Sequence, residues 1–389
     1  MSVKPGISVL MKEQQDLIAG KRVGLITNST GITPTLISTA DVISKIKPTK
    51  LTALFGPEHG IRGDIFAGDN VETYTDKKTG VPVYSLYGNT KKPANEMLAN
   101  LDMLIFDIQD IGARYYTYIY TMAYAMESAK EKGIPFIVLD RPNPINGHLV
   151  EGPVLDSRFS SFIGLYQIPI VHGLTVGELA QLFNQEFKIN CDLQIVPMKG
   201  WKRRMLFADT KLPWVATSPH LPQSTTAWHY ATTGFIGELH TICIGVGYTL
   251  PFEIVGATWI DGEKLAKELN QRKLPGVKFR PVTFRPYYYI FKDQVCQGVQ
   301  IHIMKLKDFL SVSTGLHILA TIYKMYPEQV IFPADLDQPG SRLKMFYQAM
   351  GSDSVHKMLE QGKSAAEIID SWQDNLNRFK TIREKYLIY

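Results

Sequence analysis

Leu51-Thr52-Ala53-Leu54-Phe55-Gly56-Pro57-Glu58-His59-Gly60-Ile61-Arg62-Gly63-Asp64 is the stretch whose reading decides the fold. An apolar run of strand length stops at Gly56-Pro57, and the chain then supplies Glu58, His59, Arg62 and Asp64 within eight residues. A strand that empties into a polar loop is the usual ligand-bearing feature of an open α/β sheet, where ligands lie beyond the carboxyl ends of the strands. Glu58 is therefore the first candidate for chemistry, set against the plainer reading of a Gly/Pro-broken solvated turn.

Working outward, 21–28 reads as a buried strand, and 36–46 carries helical spacing after Pro34. Residues 82–86 and 103–108 are further strand-like runs, with a short helix expected over 95–100. The span 115–132 has a helix-length pattern closed by Gly133, and 135–139 is another strand. Thr175 opens a helix to about residue 187, with Glu178 placed to complete a capping box, and 192–196 gives one more strand. Strands alternating with helices predict an α/β fold, a Rossmann-like, mostly parallel, doubly wound sheet. In such a sheet Glu58-His59, 107–110 and Asp140-Arg141 all fall on one edge.

After about residue 240 the texture changes to short β-like runs, the aromatic stretch 284–291, a strand over 300–304, and helices over 262–270, 313–326 and 341–386, the last broken near Gly362. This predicts a first, Rossmann-like domain over 1–240 and a smaller α+β domain over 241–389.

Hydrophobic residues at 45% and charged residues at 20% are those of an ordinary globular protein and exclude long disorder. Lys+Arg 42 against Asp+Glu 37 leaves a mild surplus with no concentrated basic patch, which argues against nucleic acid. Cys191, Cys243 and Cys296 are far apart, in apolar surroundings and in no metal-ligand spacing. No run is long and apolar enough for membrane insertion, and the start lacks the pattern of a signal peptide.

The glycine pattern of a dinucleotide site and the phosphate loop are both absent, so no cofactor is expected. Glu58, His59, Asp107, Asp110 and His172 could assemble a metal site, yet none has a dedicated metal spacing, and no Gly-x-Ser-x-Gly elbow supports a serine triad. Acid–base chemistry on a hydroxylated substrate suits the residues better. Glycoside hydrolysis needs one carboxylic acid to protonate the leaving oxygen, and a second carboxylate or the substrate's own acetamide to complete the step. Arg62, Arg114 and Arg141 would suit a carboxylate on the sugar, and Tyr115, Tyr116 and Trp201 a pyranose face.

The segments Gly-Pro-Glu-His-Gly-Ile-Arg-Gly-Asp (56–64), Pro-Val-Tyr-Ser-Leu-Tyr-Gly (82–88), Asp-Ile-Gln-Asp-Ile-Gly-Ala-Arg-Tyr-Tyr-Thr-Tyr (107–118), Leu-Asp-Arg-Pro-Asn-Pro-Ile-Asn-Gly (139–147) and His-Gly-Leu-Thr-Val-Gly-Glu-Leu-Ala (172–180) resemble the exo-β-N-acetylmuramidase family. The resemblance implies removal of N-acetylmuramic acid from the non-reducing end of a muropeptide or peptidoglycan-derived disaccharide. It also implies a cleft between a Rossmann-like domain and an auxiliary domain, and export to a periplasmic or extracellular location with any leader already trimmed. Carried over, it makes Glu58 the general acid, with His59 as its partner or as a structural imidazole. Arg62, Asp107, Gln109, Asp110, Arg114, Arg141 and His172 become candidates for the site wall, with one of the two aspartates expected to enter the site and the arginines alternatively bridging them.

One region departs from the family's wording. Where Phe-Glu-Gly-Thr-Asn and Gly-Arg-Gly-Thr are common, this chain has Phe235-Ile236-Gly237-Glu238-Leu239 and Gly245-Val246-Gly247-Tyr248-Thr249. Glu238 is displaced by one position from that pattern, and Tyr248 becomes a substitute polar group beside the cleft. The alternatives from other classes are a metal-dependent hydrolase and a non-catalytic muropeptide-binding protein.

Overall fold

The computed structural model describes residues 2–58, 60–62, 73–88 and 90–389. His59 and Asp64 lie outside the described residues.

The strands are β1 (Arg22–Thr27), β2 (Lys50–Gly56), β3 (Tyr74–Thr75), β4 (Pro82–Ser85), β5 (Met103–Asp107), β6 (Phe136–Leu139), β7 (Glu151–Val154), β8 (Pro169–Val171), β9 (Leu193–Val196), β10 (Ile254–Ala257), β11 (Val277–Phe284) and β12 (Cys296–Ile303). The helices are α1 (Gly6–Glu13), α2 (Thr39–Ile43), α3 (Tyr118–Lys132), α4 (Val176–Gln185), α5 (Thr226–Gly237), α6 (Gly262–Gln271), α7 (Ser311–Met325), α8 (Arg342–Met350), α9 (Ser354–Glu360), α10 (Ala365–Ser371) and α11 (Gln373–Glu384).

Seven strands form one sheet in the order β3-β4-β2-β1-β5-β6-β9, parallel throughout except for the edge strand β3. All five residues of β5 and all but the first of β1 are buried, as central parallel strands covered on both faces require. The fold is α/β, with the Rossmann-like sheet the sequence predicts. A smaller antiparallel sheet, β10-β12-β11, follows, and α6 packs against it. The three cysteines are buried free thiols.

Local signals place most elements. Thr175 and Glu178 complete the predicted capping box of α4, and Gly133 ends α3 in the left-handed conformation (φ 72°). Elsewhere local geometry overrides periodicity. The helix expected over 36–46 shrinks to α2, because Leu36 is itself left-handed (φ 63°) and 33–37 closes as a turn. Residues 95–100 form successive turns with bonds three residues apart. The terminal helix splits into α8 to α11, with left-handed Gly351 as well as Gly362 among the breaks.

Candidate active site

Parallel strand direction puts the ends of β2, β5 and β6 on one edge, so Glu58, Asp107 and Asp140 emerge together as the sequence predicts. Beyond that edge the polar side chains separate into a cavity and a set of buried ties.

The cavity has a volume of about 580 Å³, within the roughly 300–1,000 Å³ typical of small-ligand sites. Its lining from the first part of the chain includes Glu58, Tyr87, Tyr115, Tyr116 and Thr117. Ser218, His220, Tyr230, Gly234, Glu238, Val246 and Phe252 continue the lining, with Phe162, Tyr288 and Tyr289 completing it.

Glu58 is held in one orientation. The Thr117 hydroxyl, at the start of α3, donates to Glu58 Oε2 at 3.2 Å. The Tyr87 phenol, just beyond β4, lies close enough to feel the Glu58 carboxyl; burial first, and then this negative neighbour, push it well above its usual range. Glu238 ends α5 and faces the same cavity. Burial raises its pKa, with the Arg342 guanidinium partly opposing the rise.

The aromatic wall is a packed set. Tyr230 lies 5.0 Å from Tyr115, 5.7 Å from Tyr116 and 4.9 Å from Phe252 between ring centroids, the last two edge to face. The Tyr115 hydroxyl donates to the Tyr230 carbonyl at 2.9 Å. Gly234 lines the wall because a Cβ there would meet the Tyr115 ring at 2.9 Å. Such rings suit the C–H face of a sugar, while hydroxyls and carboxyls at the rim suit its edge.

The other sequence-predicted residues sit in the framework. Arg62 forks onto Asp76 at 2.9 and 3.0 Å. Asp107, fully buried, accepts from Arg141 Nε at 2.5 Å, Arg141 Nη2 at 2.9 Å and the Thr39 hydroxyl at 2.5 Å. Gln109 donates to the carbonyls of Asp110 and Pro142. Gln109 and Arg141 border only a crevice of about 20 Å³, enough for roughly one water.

Asp110 accepts from the Gly112 amide at 2.7 Å, and burial pushes its carboxyl up to about 7. His172 lies 4.0 Å away; burial, then Arg383 and Arg114, lower it to about 3, so it is neutral at physiological pH. Arg114 is fully buried and spends its fork on the carbonyls of Pro153, Ile168 and Ala349 at 2.9, 3.0 and 2.6 Å. Tyr248 stacks near-parallel on Tyr287 at 5.8 Å and packs on Phe284. Trp201 is buried against Tyr389.

Of the residues the sequence nominates for catalysis or binding, the structure thus brings Glu58 and Glu238 to one cavity, together with Tyr115 and Tyr116. Tyr87, Thr117 and Tyr230 are the partners that sequence reasoning missed. Tyr87 had a signal: it follows a predicted strand that neighbours β2, so the strand-end rule that selects Glu58 selects Tyr87 as well. Among the described residues, no three His, Cys, Asp or Glu side chains converge as metal ligands would, and no helix is long and apolar enough to cross a membrane.

Comparison with known proteins adds the family. Over all of this chain and 91% of its own length, the Bacillus subtilis (strain 168) protein named peptidoglycan beta-N-acetylmuramidase NamZ is 50% identical. A DUF1343 family protein of Bacteroides fragilis NCTC 9343, solved at 1.65 Å, superposes with a TM-score of 0.93 at 43% identity, covering 100% of this chain and 99% of that one. A second DUF1343 protein of the same organism, solved at 1.30 Å, gives 0.80 at 29% identity with the same coverage. Residues 23–225 match the N-terminal part, and residues 228–389 the C-terminal part, of the family described as exo-beta-N-acetylmuramidase NamZ, and the chain belongs to that family.

Proposed function

We propose that this protein is an exo-β-N-acetylmuramidase that releases N-acetylmuramic acid from the non-reducing end of peptidoglycan fragments, with Glu58 as the general acid. The observation that carries the assignment of the acid is the setting of Glu58. It is a carboxyl at the carboxyl edge of the parallel sheet, oriented by the Thr117 hydroxyl and facing an aromatic-lined cavity of about 580 Å³. Family membership supplies the substrate class.

In this reading the terminal sugar lies against Tyr115, Tyr116 and Tyr230 with its glycosidic oxygen toward Glu58, which gives up a proton as the bond breaks. Glu238 is the second carboxyl facing the cavity. The first-formed anomer of the released sugar, followed by proton NMR, distinguishes direct attack by water from a double displacement or assistance by the substrate's acetamide.

The test is Glu58→Gln on an N-acetylmuramic-acid-terminated disaccharide. The change keeps size and polarity and removes the transferable proton, so turnover should fall about 10²–10⁴-fold. Wild-type turnover by the variant would overturn the assignment of Glu58. Saturable binding by the natural protein without release of free sugar would overturn the enzymatic reading.

A further inference from the structure

The loop joining β11 to β12 carries Pro286-Tyr287-Tyr288-Tyr289-Ile290. Tyr288 and Tyr289 line the cavity, yet the three tyrosines are 64%, 49% and 48% exposed. Rings of this size are ordinarily covered, and a contiguous exposed set beside a cavity marks a binding surface.

The loop is built to hold them there. Tyr289, Phe291 and Asp293 all have left-handed backbones (φ 72°, 56° and 61°), a costly arrangement in non-glycine residues that persists only where surrounding contacts enforce it. Those contacts are present. The Tyr287 amide donates to the Gly247 carbonyl at 2.7 Å, and the Asp293 amide to the Pro286 carbonyl at 2.9 Å. Gly247 approaches so closely that a Cβ on it would lie 2.0 Å from the Tyr288 carbonyl oxygen. The side chains are tied too: the Tyr288 hydroxyl pairs with His220 Nε2 at 2.6 Å, and the Tyr289 hydroxyl with His240 Nε2. Tyr287 rests near-parallel on Tyr248. The hydroxyls of Tyr288 and Tyr289 are thereby fixed and the Tyr287 ring is backed by Tyr248, while about half or more of each side chain stays open to water.

We propose that Tyr287 and Tyr288 form a platform for the leaving side of the glycan, on which the sugars beyond the scissile bond stack. The inference rests on the exo-hydrolase reading. A terminal sugar that fills the cavity leaves the rest of its chain at the mouth, and the tyrosine loop runs without a break from the cavity wall to the surface. Pyranose rings present an apolar C–H face that suits an immobile aromatic ring, and no ordering cost is paid on the protein side.

Tyr287→Ala, outside the cavity wall, tests this on the full chain with two substrates that share the terminal N-acetylmuramic acid. One is an aryl glycoside, which ends before the platform; the other is a glycan tetrasaccharide. kcat/KM for the tetrasaccharide should fall about five- to tenfold through KM, while that for the aryl glycoside stays within about twofold, and Tyr287→Trp should restore the difference. An equal fall on both substrates, or a fall on neither, would overturn the platform. So would a change in self-association by sedimentation with the substrate ratio unaltered. If the natural protein cleaves neither substrate, the exo-hydrolase reading fails, and tetrasaccharide binding by calorimetry to the natural and Tyr287→Ala proteins still decides the platform: equal affinity overturns it.

Discussion

Thr117 and Glu58 are 59 residues apart in the chain and meet at 3.2 Å, the hydroxyl donating to Oε2. The contact joins the start of α3 to the loop after β2, so the helix fixes the direction of the carboxyl that faces the cavity. Thr117→Val keeps the shape of the side chain and removes the donor. The expected outcome is a fall in kcat of about tenfold with KM and the thermal midpoint nearly unchanged, as loss of orientation alone would give. Thr117→Ser should recover most of the rate.

Asp107 and Arg141 form a buried pair, with side chains 0% and 5% exposed. Removing one member strands the other's charge away from water. Arg141→Met should therefore cost about 3–5 kcal/mol of stability, read from the urea midpoint at constant slope. An arginine that bound sugar would instead show its loss in KM with stability intact.

Asp110 makes stability depend on pH in a defined direction. Its folded pKa, about 7, lies above the ordinary 3.8. In the unfolded chain the proton leaves near pH 4, whereas the folded chain keeps it until about pH 7. The stability that this group contributes is whole below about pH 4 and is lost as pH rises to about 7. Asp110→Asn retains an acceptor for the Gly112 amide and has no proton to lose. Relative to the natural chain, the variant should gain up to about 4 kcal/mol between pH 4 and pH 7, measured by urea unfolding at both ends of the range.

Arg114 and Gly351 test the tie between distant parts of the chain. Gly351 is left-handed (φ 75°), and a Cβ on it would lie 2.7 Å from Arg114 Nη2. Gly351→Ala thus combines backbone strain with displacement of the guanidinium and should destabilise by about 2–3 kcal/mol. Arg114→Lys keeps the charge, although burial already draws Arg114 down to about 10. A single ammonium cannot reproduce the fork that serves three carbonyls, so a loss of about 3 kcal/mol by urea unfolding is expected.

The parallel sheet was legible because buried central strands are continuous apolar runs, and their shared direction puts segment 56–58 on the same edge as the ends of β5 and β6. What composition and spacing do not carry is the destination of a long side chain. Arg114, Arg141 and Asp107 look like sugar ligands in one dimension, yet their partners are Ala349, Ile32 and Thr39, set by packing across tens to hundreds of residues. Tyr230 and Glu238 line the cavity because α5 arrives from a part of the chain with no strand-end signal. The strand β7 contains Pro153 and Gly152, which disguise it from propensity rules; its pairing with β8 is irregular and short.

The cavity takes Glu58, Tyr87 and Thr117 from before residue 120, and most of its remaining lining from after residue 217. The segments that depart from the family's usual wording, 235–239 and 245–249, both contribute to that later lining, through Gly237, Glu238 and Val246. The candidate carboxyl and most of the chamber around it thus come from different stretches of one chain. Under the proposed function, substitutions confined to the later stretch would reshape the chamber and so its choice of glycan, while Glu58 and its tie to Thr117 stay where they are.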